Sequence, residues 1–246
     1  KLDPVRDVEI VNLELALKDL ETITKRMSAA KRNALTGDKS AKVEYEILEN
    51  VREKLNRGIH ISELDLPEVE ERVLRPLNLL TAKPVLYLAN VDEFALYKNP
   101  YAQQLRQFAA NHKAAFLQFC GRTQAEIAEL DPENQKLFLE ELGLDELGFQ
   151  KVVRAGYQLL DLITFFTANE NECHAWTVAK GTNVQKAAGK IHSDFKEGFI
   201  RAEVMKFADL EKYGSEHELR ERGLFTTHGR DYLVEDGDII FYRFRT

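Results

Sequence analysis

The chain has 246 residues, enough for one large domain or for two to three small ones. Its 44% hydrophobic and 30% charged residues are typical of a globular protein and exclude a disordered chain. The net charge of −7 argues against general nucleic-acid binding but allows a local basic patch. With two cysteines, no membrane-length apolar run and no signal-peptide pattern, the sequence predicts a cytoplasmic protein.

The first 80 residues predict helices. Apolar residues recur every three to four positions over 7–34 and again over 41–57, with the polar turn LTGDKS between them. Two helices joined by a short turn form an antiparallel hairpin, which we expect to resemble a coiled coil. A third helix is predicted over 67–80, where Pro76 should produce a kink or an early end.

The middle of the chain alternates strands and helices, which predicts an α/β unit. The two strands are expected at 84–89 and 115–119. Asp131 followed by Pro132 is typical of a helix start. Asp can cap the first turn, and the N–H that Pro lacks would have no partner within the helix at this position. Further helices are predicted over 101–111, 124–130 and 149–160.

The last part of the chain is rich in β-branched and aromatic residues. Four such runs read LITFFTA, CHAWTVA, GFIRAEVMKF and YLVEDGDIIFYRF, and a helix is predicted over 182–195 between the second and third. Asp236-Gly237 separates two apolar stretches, so a β-hairpin is expected there. The order indicates a small sheet that grasps one helix, with a domain boundary near residue 161.

The first strand of the α/β unit ends in Asn90-Val91-Asp92-Glu93. Ligands of nucleotide-binding α/β folds lie at the carboxyl ends of strands. Guanine-specific proteins carry Asn-Lys-x-Asp at this place, where the Asp accepts hydrogen bonds from guanine N1–H and the 2-amino group. Glu93 is one methylene longer than that Asp, and adenine N1 is an acceptor, so we expect weakened guanine recognition and admission of adenine. By itself N-x-x-E is a weak signal that is common in surface loops.

The segments KPVLYLANVDE, AWTVAKGTNVQKAAGKIHSDFKEGFIRAEV and RDYLVEDGDIIFYRF closely resemble the YchF/Obg-like ATPase family, over almost the whole chain. The resemblance implies part of a P-loop NTPase domain with an inserted helical hairpin, followed by a β-grasp (TGS) domain. It implies three segments: the hairpin at 7–80, the nucleotide-binding part at 81–160 and TGS at 161–246. It also implies ATP binding, with Mg²⁺ in the full-length protein, and association with the ribosome.

The resemblance gives roles to the residues at the two strand ends. Asn90 and Glu93 would select adenine, and Val91 would contact the base through its backbone or its apolar side chain. Cys120 and Gly121, which end the second strand, would offer main-chain donors to the base.

The phosphate-binding motif G-x-x-x-x-G-K-[ST] does not occur in the sequence. Gly189-Lys190 is followed by Ile191, where Ser or Thr would bind Mg²⁺. The family's P-loop and magnesium-binding switch are expected before residue 1, and without them we expect no ATP hydrolysis and no catalytic or metal-binding residue in this chain.

Two groups of basic residues are candidate contacts for ribosomal RNA. Six cations against Asp38 alone give residues 25–42 a charge of six minus one, or +5, at the predicted hairpin tip. These six are Lys25, Arg26, Lys31, Arg32, Lys39 and Lys42, and the TGS segment adds Lys190, Lys196 and Arg201. A solvated helix end is an equally good explanation of the first group.

Other combinations of residues are weaker. His192 and Asp194 lack a nucleophile, so a capping role or an RNA contact is expected rather than catalysis. Cys173 with His174 has no second ligand pair, which makes a metal site improbable. Trp176 is expected in the sheet core, and His228 in a polar connection is expected to face solvent.

The resemblance therefore implies a ribosome-associated regulator of translation or of the stress response that binds ATP and, in its full-length form, hydrolyses it. Its partners would be ATP and ribosomal RNA, with neither DNA nor a membrane. The alternative is a non-enzymatic RNA- or ribosome-binding module whose nucleotide pocket is vestigial.

Overall fold

A computed structural model describes residues 2–93, 98–144, 146–169 and 172–245. No helix within these ranges has the length and apolar character needed to cross a membrane. The chain divides into two compact units, Lys1–Ala155 and Gly156–Thr246. The three-segment division expected from the sequence remains a prediction.

The first unit begins with the predicted pair of helices, α1 (Pro4–Leu35) and α2 (Lys39–Asn56). Gly37 makes the turn between them with φ of 92°, a backbone conformation that side chains disfavour. Asp38 then starts α2, because its carboxylate accepts hydrogen bonds from the N–H groups of Ser40 and Ala41. The helical hairpin is therefore confirmed.

The two helices bury one face each against the other. The buried positions on α1 are spaced three, four, four and three residues apart, which places them on one stripe. These positions are Ala16, Asp19, Ile23, Met27 and Ala30, of which Ala16, Ile23 and Met27 pack with Ile47, Leu48, Val51 and Leu55 of α2. The spacing suits a coiled coil, and that description of the hairpin remains a prediction.

The third predicted helix is shorter than expected. Helix α3 spans Glu68–Leu74, and a single 3-10 turn, Arg75–Leu77, follows it. Pro76 lies in that turn, where its missing N–H and its ring prevent the α-helix from continuing. A second 3-10 turn, Leu80–Ala82, leads into the sheet.

The α/β part of the first unit is built on two parallel strands. Strand β1 (Leu86–Asn90) pairs with β2 (Ala115–Phe119), and helix α4 (Pro100–Asn111) connects them. Three helices follow: α5 (Gly121–Ala128), α6 (Pro132–Glu141) and α7 (Gly148–Leu159), and the boundary between the two units falls within α7. Asp131 caps α6 as predicted, through the N–H groups of Glu133 and Asn134.

The second unit contains a five-stranded sheet. Its strands in chain order are β3 (Leu162–Ala168), β4 (Cys173–Ala179), β5 (Phe199–Lys206), β6 (Thr226–His228) and β7 (Asp238–Phe244). Across the sheet they run β4-β3-β7-β5-β6. The pair β3–β7 is parallel, and the other neighbours are antiparallel.

Helices cover both faces of this sheet. Helices α8 (Val184–Ile191) and α9 (Ser193–Glu197) lie on the face that buries Phe165 and Ile240. Helices α10 (Phe207–Tyr213) and α11 (Glu216–Glu221) lie on the face of Phe166 and Ile239. Successive residues of one strand therefore enter opposite cores, as strand geometry requires.

Three expectations for this unit are wrong. The predicted hairpin at Asp236-Gly237 does not form, because only Asp238–Phe244 is a strand and it already has β3 and β5 as neighbours. The helix predicted over 182–195 is two helices, divided at His192. The supposed polar connection around His228 contains β6, where His228 is half-buried and stacks on Tyr232 at 4.0 Å between ring centroids.

Candidate functional site

The ends of the two parallel strands bring four of the five predicted base-contacting residues together. Asn90, the last residue of β1, lies in register with Phe119, the last residue of β2. The Gly121 N–H, just beyond β2, donates a hydrogen bond of 2.9 Å to Asn90 Oδ1. A Cβ atom at position 121 would lie 3.2 Å from that same oxygen, so glycine permits the close approach.

Val91 and Cys120 fix the backbone around this contact. The Val91 N–H donates to Phe119 O at 3.0 Å, and its half-buried side chain packs beside Ala89 in the α/β core. Cys120 is buried, and its Sγ accepts a hydrogen bond of 3.2 Å from Thr123 Oγ1 at the start of α5. The corner is therefore held by strand pairing and by packing.

The geometry changes one expected role. The Gly121 N–H was expected to donate to a base, but it already donates to Asn90. The Val91 N–H is likewise used by β2. The exposed Asn90 side chain can still meet a ligand, because its Oδ1 keeps a second lone pair and its Nδ2 has two N–H groups.

Glu93 is the fifth predicted base contact, three residues beyond Asn90. It is exposed to solvent, as is Asp92. A carboxylate in this position accepts hydrogen bonds and offers none when it is ionised. The loop continues into 94–97, which lie outside the described residues.

All six basic residues of the predicted hairpin tip are exposed. Arg26 is not a free cation, because its Nε pairs with Glu44 Oε1 across the hairpin. Leu35, at the tip itself, is 81% exposed. Asp38 accepts hydrogen bonds from the Ser40 side chain and from the N–H groups of Ala41 and Ser40. These bonds lower the pKa of Asp38, so this acid stays charged at neutral pH.

The basic residues predicted in the TGS segment are exposed but do not form one patch of free charges. Arg201 and Arg243 both pair with Glu203, at 3.3 and 3.0 Å. The stem of Lys196 lies across Gly189, where a Cβ would meet Lys196 Cδ at 3.1 Å. His192 caps α9 by accepting the Asp194 N–H, so the capping role is confirmed.

The structure shows two polar clusters that the sequence did not indicate. Asp19 is 2% exposed and accepts three hydrogen bonds, from the N–H groups of Leu80 and Thr81 and from Thr81 Oγ1. The only signal in the sequence was an acid on the apolar stripe of α1. This contact ties the helical hairpin to the segment that enters β1.

The second cluster lies around Asp238, which is fully buried. Lys206 Nζ donates to Asp238 Oδ1 at 2.6 Å and to Glu235 Oε2 at 2.8 Å, and the Tyr232 hydroxyl donates to Asp238 Oδ2 at 2.9 Å. The segment before Asp238 pairs elsewhere: the Val184 N–H donates to Tyr232 O at 2.8 Å and the Val234 N–H donates to Thr182 O at 3.0 Å, so it is not a hairpin partner of β7. Among the described residues, no group of three or more His, Cys, Asp or Glu is placed to hold a metal ion.

Known proteins resemble this chain over almost all of its length. Residues 162–245 match the family model YchF-GTPase_C, described as a protein of unknown function (DUF933). The "Ribosome-binding ATPase YchF" of Escherichia coli O157:H7 is 42% identical over 99% of this chain and 67% of its own length. The "Obg-like ATPase 1" of Gallus gallus is 38% identical over 100% of this chain and 63% of its own length.

The fold is also found in a solved structure. The YchF GTPase of Schizosaccharomyces pombe has a TM-score of 0.89 and 30% identity, covering 99% of this chain and 67% of that protein. The chain thus spans about two thirds of the length of these relatives. Their names differ in the nucleotide, since two say ATPase and one says GTPase.

Proposed function

The chain belongs to the YchF/Obg-like ATPase family, and from this premise we propose that it carries the base-recognition corner and the ribosome-binding surfaces of an ATP-hydrolysing regulator of translation or of the stress response. The observation that carries the proposal is the Asn90–Gly121 contact at the ends of the parallel strands. Ribosome association, which the relatives' names state, would place the protein in the cytoplasm.

Asn90 has the chemistry to recognise adenine. Its Nδ2 can donate to N7 of either purine, which does not discriminate between them. Its Oδ1, turned towards Gly121, has one lone pair left for an N–H of the adenine 6-amino group. Guanine-specific proteins carry an Asn at this same place, so Asn90 admits adenine and leaves the choice between the two purines to position 93.

Glu93 favours adenine by what it does not offer to guanine. In a guanine-specific site a shorter Asp accepts from guanine N1–H and the 2-amino group together. The additional methylene of Glu93 moves the carboxylate out of that geometry, and losing a matched pair of hydrogen bonds costs a few kcal/mol. Guanine then loses its main advantage, while adenine, which has no N1–H, loses nothing.

Hydrolysis would depend on groups outside this chain. We place the phosphate site and its Mg²⁺ in the third of the relatives' length that the chain does not span, because G-x-x-x-x-G-K-[ST] does not occur in the 246 residues. By itself the chain should release phosphate from ATP only at the background rate. The missing G-x-x-x-x-G-K-[ST] motif also favours the second candidate, a non-enzymatic RNA- or ribosome-binding module with a vestigial pocket.

Nuclear magnetic resonance of this chain with adenosine tests the corner without a phosphate site. We expect the largest shifts at the Gly121 backbone amide and the Asn90 side-chain amide, with no shift at Gly214 in the second unit. The Asn90→Ala variant should lose the response. Shifts that are largest elsewhere, or that persist in Asn90→Ala, would exclude the corner and favour the module with a vestigial pocket.

A further inference from the structure

The first unit has a cavity that the proposed function does not use. Its volume is about 340 Å³, within the range of small-molecule sites. Helix α1, the end of α2, the segment from Gly58 to Glu63 and the end of α4 line it. A smaller cavity of about 150 Å³ shares four of its lining residues, Asn12, His60, Glu63 and His112.

The larger cavity follows from unequal helix lengths. Helix α1 has 32 residues and α2 has 18, so the first half of α1 extends beyond the end of α2 at Asn56. There α1 faces the segment after α2 and the end of α4, and the cavity lies between them. Two apolar side chains of its wall, Leu13 and Leu17, are 59% and 47% exposed. They can therefore bury apolar surface of a ligand.

The lining changes from polar to apolar along α1. It runs from Glu9 and Asn12 to Leu20, about 16 Å along the helix axis, with leucines in the second part. Asn12 belongs to the group shared with the smaller cavity, so the two histidines and Glu63 lie towards the polar end. A ligand that fits both parts needs an apolar body and one polar head.

The groups of the polar end hold one another in place. His112 Nδ1 lies 3.2 Å from Glu63 Oε1, and the His60 backbone N–H donates to the same oxygen at 3.3 Å. The His112 ring also stacks on Phe108, with 4.3 Å between the centroids. Glu63, whose side chain is 19% exposed, is thus oriented before a ligand arrives, and Phe108 adds an aromatic wall.

The charge of the lining favours a cationic head. Glu9 and Glu63 are acids, and no described residue that lines the larger cavity is Lys or Arg. Lys113 lines only the smaller cavity, where it pairs with Asp65 at 3.1 Å. With the histidines neutral, an anion would meet two like charges, whereas an ammonium group would meet two opposite ones. The aromatic face of Phe108 adds to the attraction of a cation.

The geometry points to a binding site in the first unit for a small organic cation, an amine with an apolar body. The body lies on Leu13, Leu17 and Phe108, and the ammonium group meets Glu63 and Glu9. The attraction between ammonium and carboxylate fixes which end of the ligand enters the polar part.

This site is separate from the adenine corner. Pro84 and Val85, which line the smaller cavity, come just before β1, whereas Asn90 ends that strand. Five residues of extended chain place the two ends about 17 Å apart. The site therefore adds a ligand that the proposed function does not include.

Three compounds of similar shape and different charge test the site. The whole chain is titrated at neutral pH with phenethylamine, phenethyl alcohol and phenylpropionate, and nuclear magnetic resonance follows the shifts. With the amine we expect saturable shifts at the backbone amides of Leu17 and Phe108 and at the His112 ring, and none at Gly214 in the second unit. The alcohol and the anion should bind about tenfold more weakly or worse, because they lack the attraction to two carboxylates.

Variants of the acids test the polar end. Glu9→Gln combined with Glu63→Gln should weaken binding of phenethylamine about tenfold and remove its advantage over the alcohol. Glutamine keeps the size of each side chain and an oxygen for the His60 N–H. Glu14→Gln combined with Glu46→Gln, two exposed acids of the hairpin that do not line the cavity, is the matched control and should bind like the native chain.

A leucine variant tests the apolar part. Leu17→Asn should weaken binding about threefold or more, whereas Leu35→Asn at the exposed hairpin tip should not. Asn90→Ala should bind the amine normally even if the adenine corner proves wrong. The proposal is overturned if phenethylamine gives no saturable shift at Leu17, Phe108 and His112, or if the alcohol or the anion binds as tightly. Native-like binding by both Leu17→Asn and the double variant of the acids would also overturn it.

Discussion

Asn90 Oδ1 accepts the Gly121 N–H at 2.9 Å, and this hydrogen bond joins the ends of two parallel strands. Asn90 is thus oriented before any ligand arrives. The donor is the backbone N–H of Gly121, so the hydrogen bond does not depend on a side chain at position 121. Orientation before binding reduces the entropy that a ligand must offset.

Gly121→Ala tests that orientation. The added Cβ would lie 3.2 Å from Asn90 Oδ1, so Asn90 must shift by a few tenths of an ångström. Position 121 is the first residue of α5, where alanine is well tolerated, and we expect the free energy of unfolding to change by less than about 1 kcal/mol. Adenosine affinity should fall nonetheless. Urea unfolding and an adenosine titration measure the two effects, and unchanged affinity would contradict the role of Asn90.

Asp19 is predicted to stabilise the attachment of the hairpin. Asp19→Ala leaves the partly buried Leu80 N–H and the buried Thr81 N–H and hydroxyl without their acceptor, which should lower the free energy of unfolding by about 3 kcal/mol. Glu14→Ala, an exposed acid on the same helix, should change it by less than about 0.5 kcal/mol. Urea denaturation compares the two variants, and equal small effects would refute the role given to Asp19.

The hairpin tip is predicted to bind ribosomal RNA through its exposed cations. Lys31→Glu combined with Lys39→Glu should weaken cosedimentation with ribosomes and reduce the slope of log affinity against log salt by about 1.5 or more. Arg26 is a poorer choice, because Glu44 already pairs with it. Lys83→Glu combined with Lys136→Glu, two exposed lysines outside the hairpin, changes the charge by the same amount and is the matched control. Equal binding by the double variant and the control would leave the tip as a solvated helix end.

Glu203 is predicted to contribute to acid sensitivity of the second unit. A hydrogen bond from Arg243 lowers the pKa of Glu203 below its ordinary value of 4.5, against the effect of burial, and Arg201 adds to the shift. Because the pKa is lower in the folded state, this stabilisation is complete above pH 4.5 and is lost as the pH falls through the folded value.

Glu203→Gln should therefore make the free energy of unfolding less dependent on pH below 4.5. Glu197→Gln, an exposed acid in the same unit, should retain the native dependence. Denaturant unfolding between pH 3 and 6 provides the comparison. A native-like acid dependence in Glu203→Gln would assign the effect to other carboxylates.

Local patterns were sufficient to predict most elements of the fold. The spacing of Ile23, Met27, Leu48 and Val51 predicted both hairpin helices, and an apolar run before Asn90 predicted β1. Pro76 indicated an early end to the third helix. These features depend on neighbours a few residues apart, which a sequence displays directly.

Contacts between distant residues could not be predicted in the same way. The turn chemistry of Asp236-Gly237 favours a hairpin, but Leu233 forms a bridge with Asn183, 50 positions earlier in the chain, and β7 pairs with β3 and β5. Strand order explains why Asn90 and Gly121 are close, yet it does not reveal that the Gly121 N–H is already engaged. The hydrogen bonds of Asp19 span 61 and 62 positions.

The choice of purine is the central claim, and one comparison tests it most directly. Dissociation constants of adenosine and guanosine are measured for the native chain and for Glu93→Asp, which restores the shorter carboxylate. We predict that the native chain binds adenosine more tightly and that Glu93→Asp shifts the ratio towards guanosine by about tenfold or more. Tighter binding of guanosine by the native chain, or an unchanged ratio in Glu93→Asp, would contradict the account.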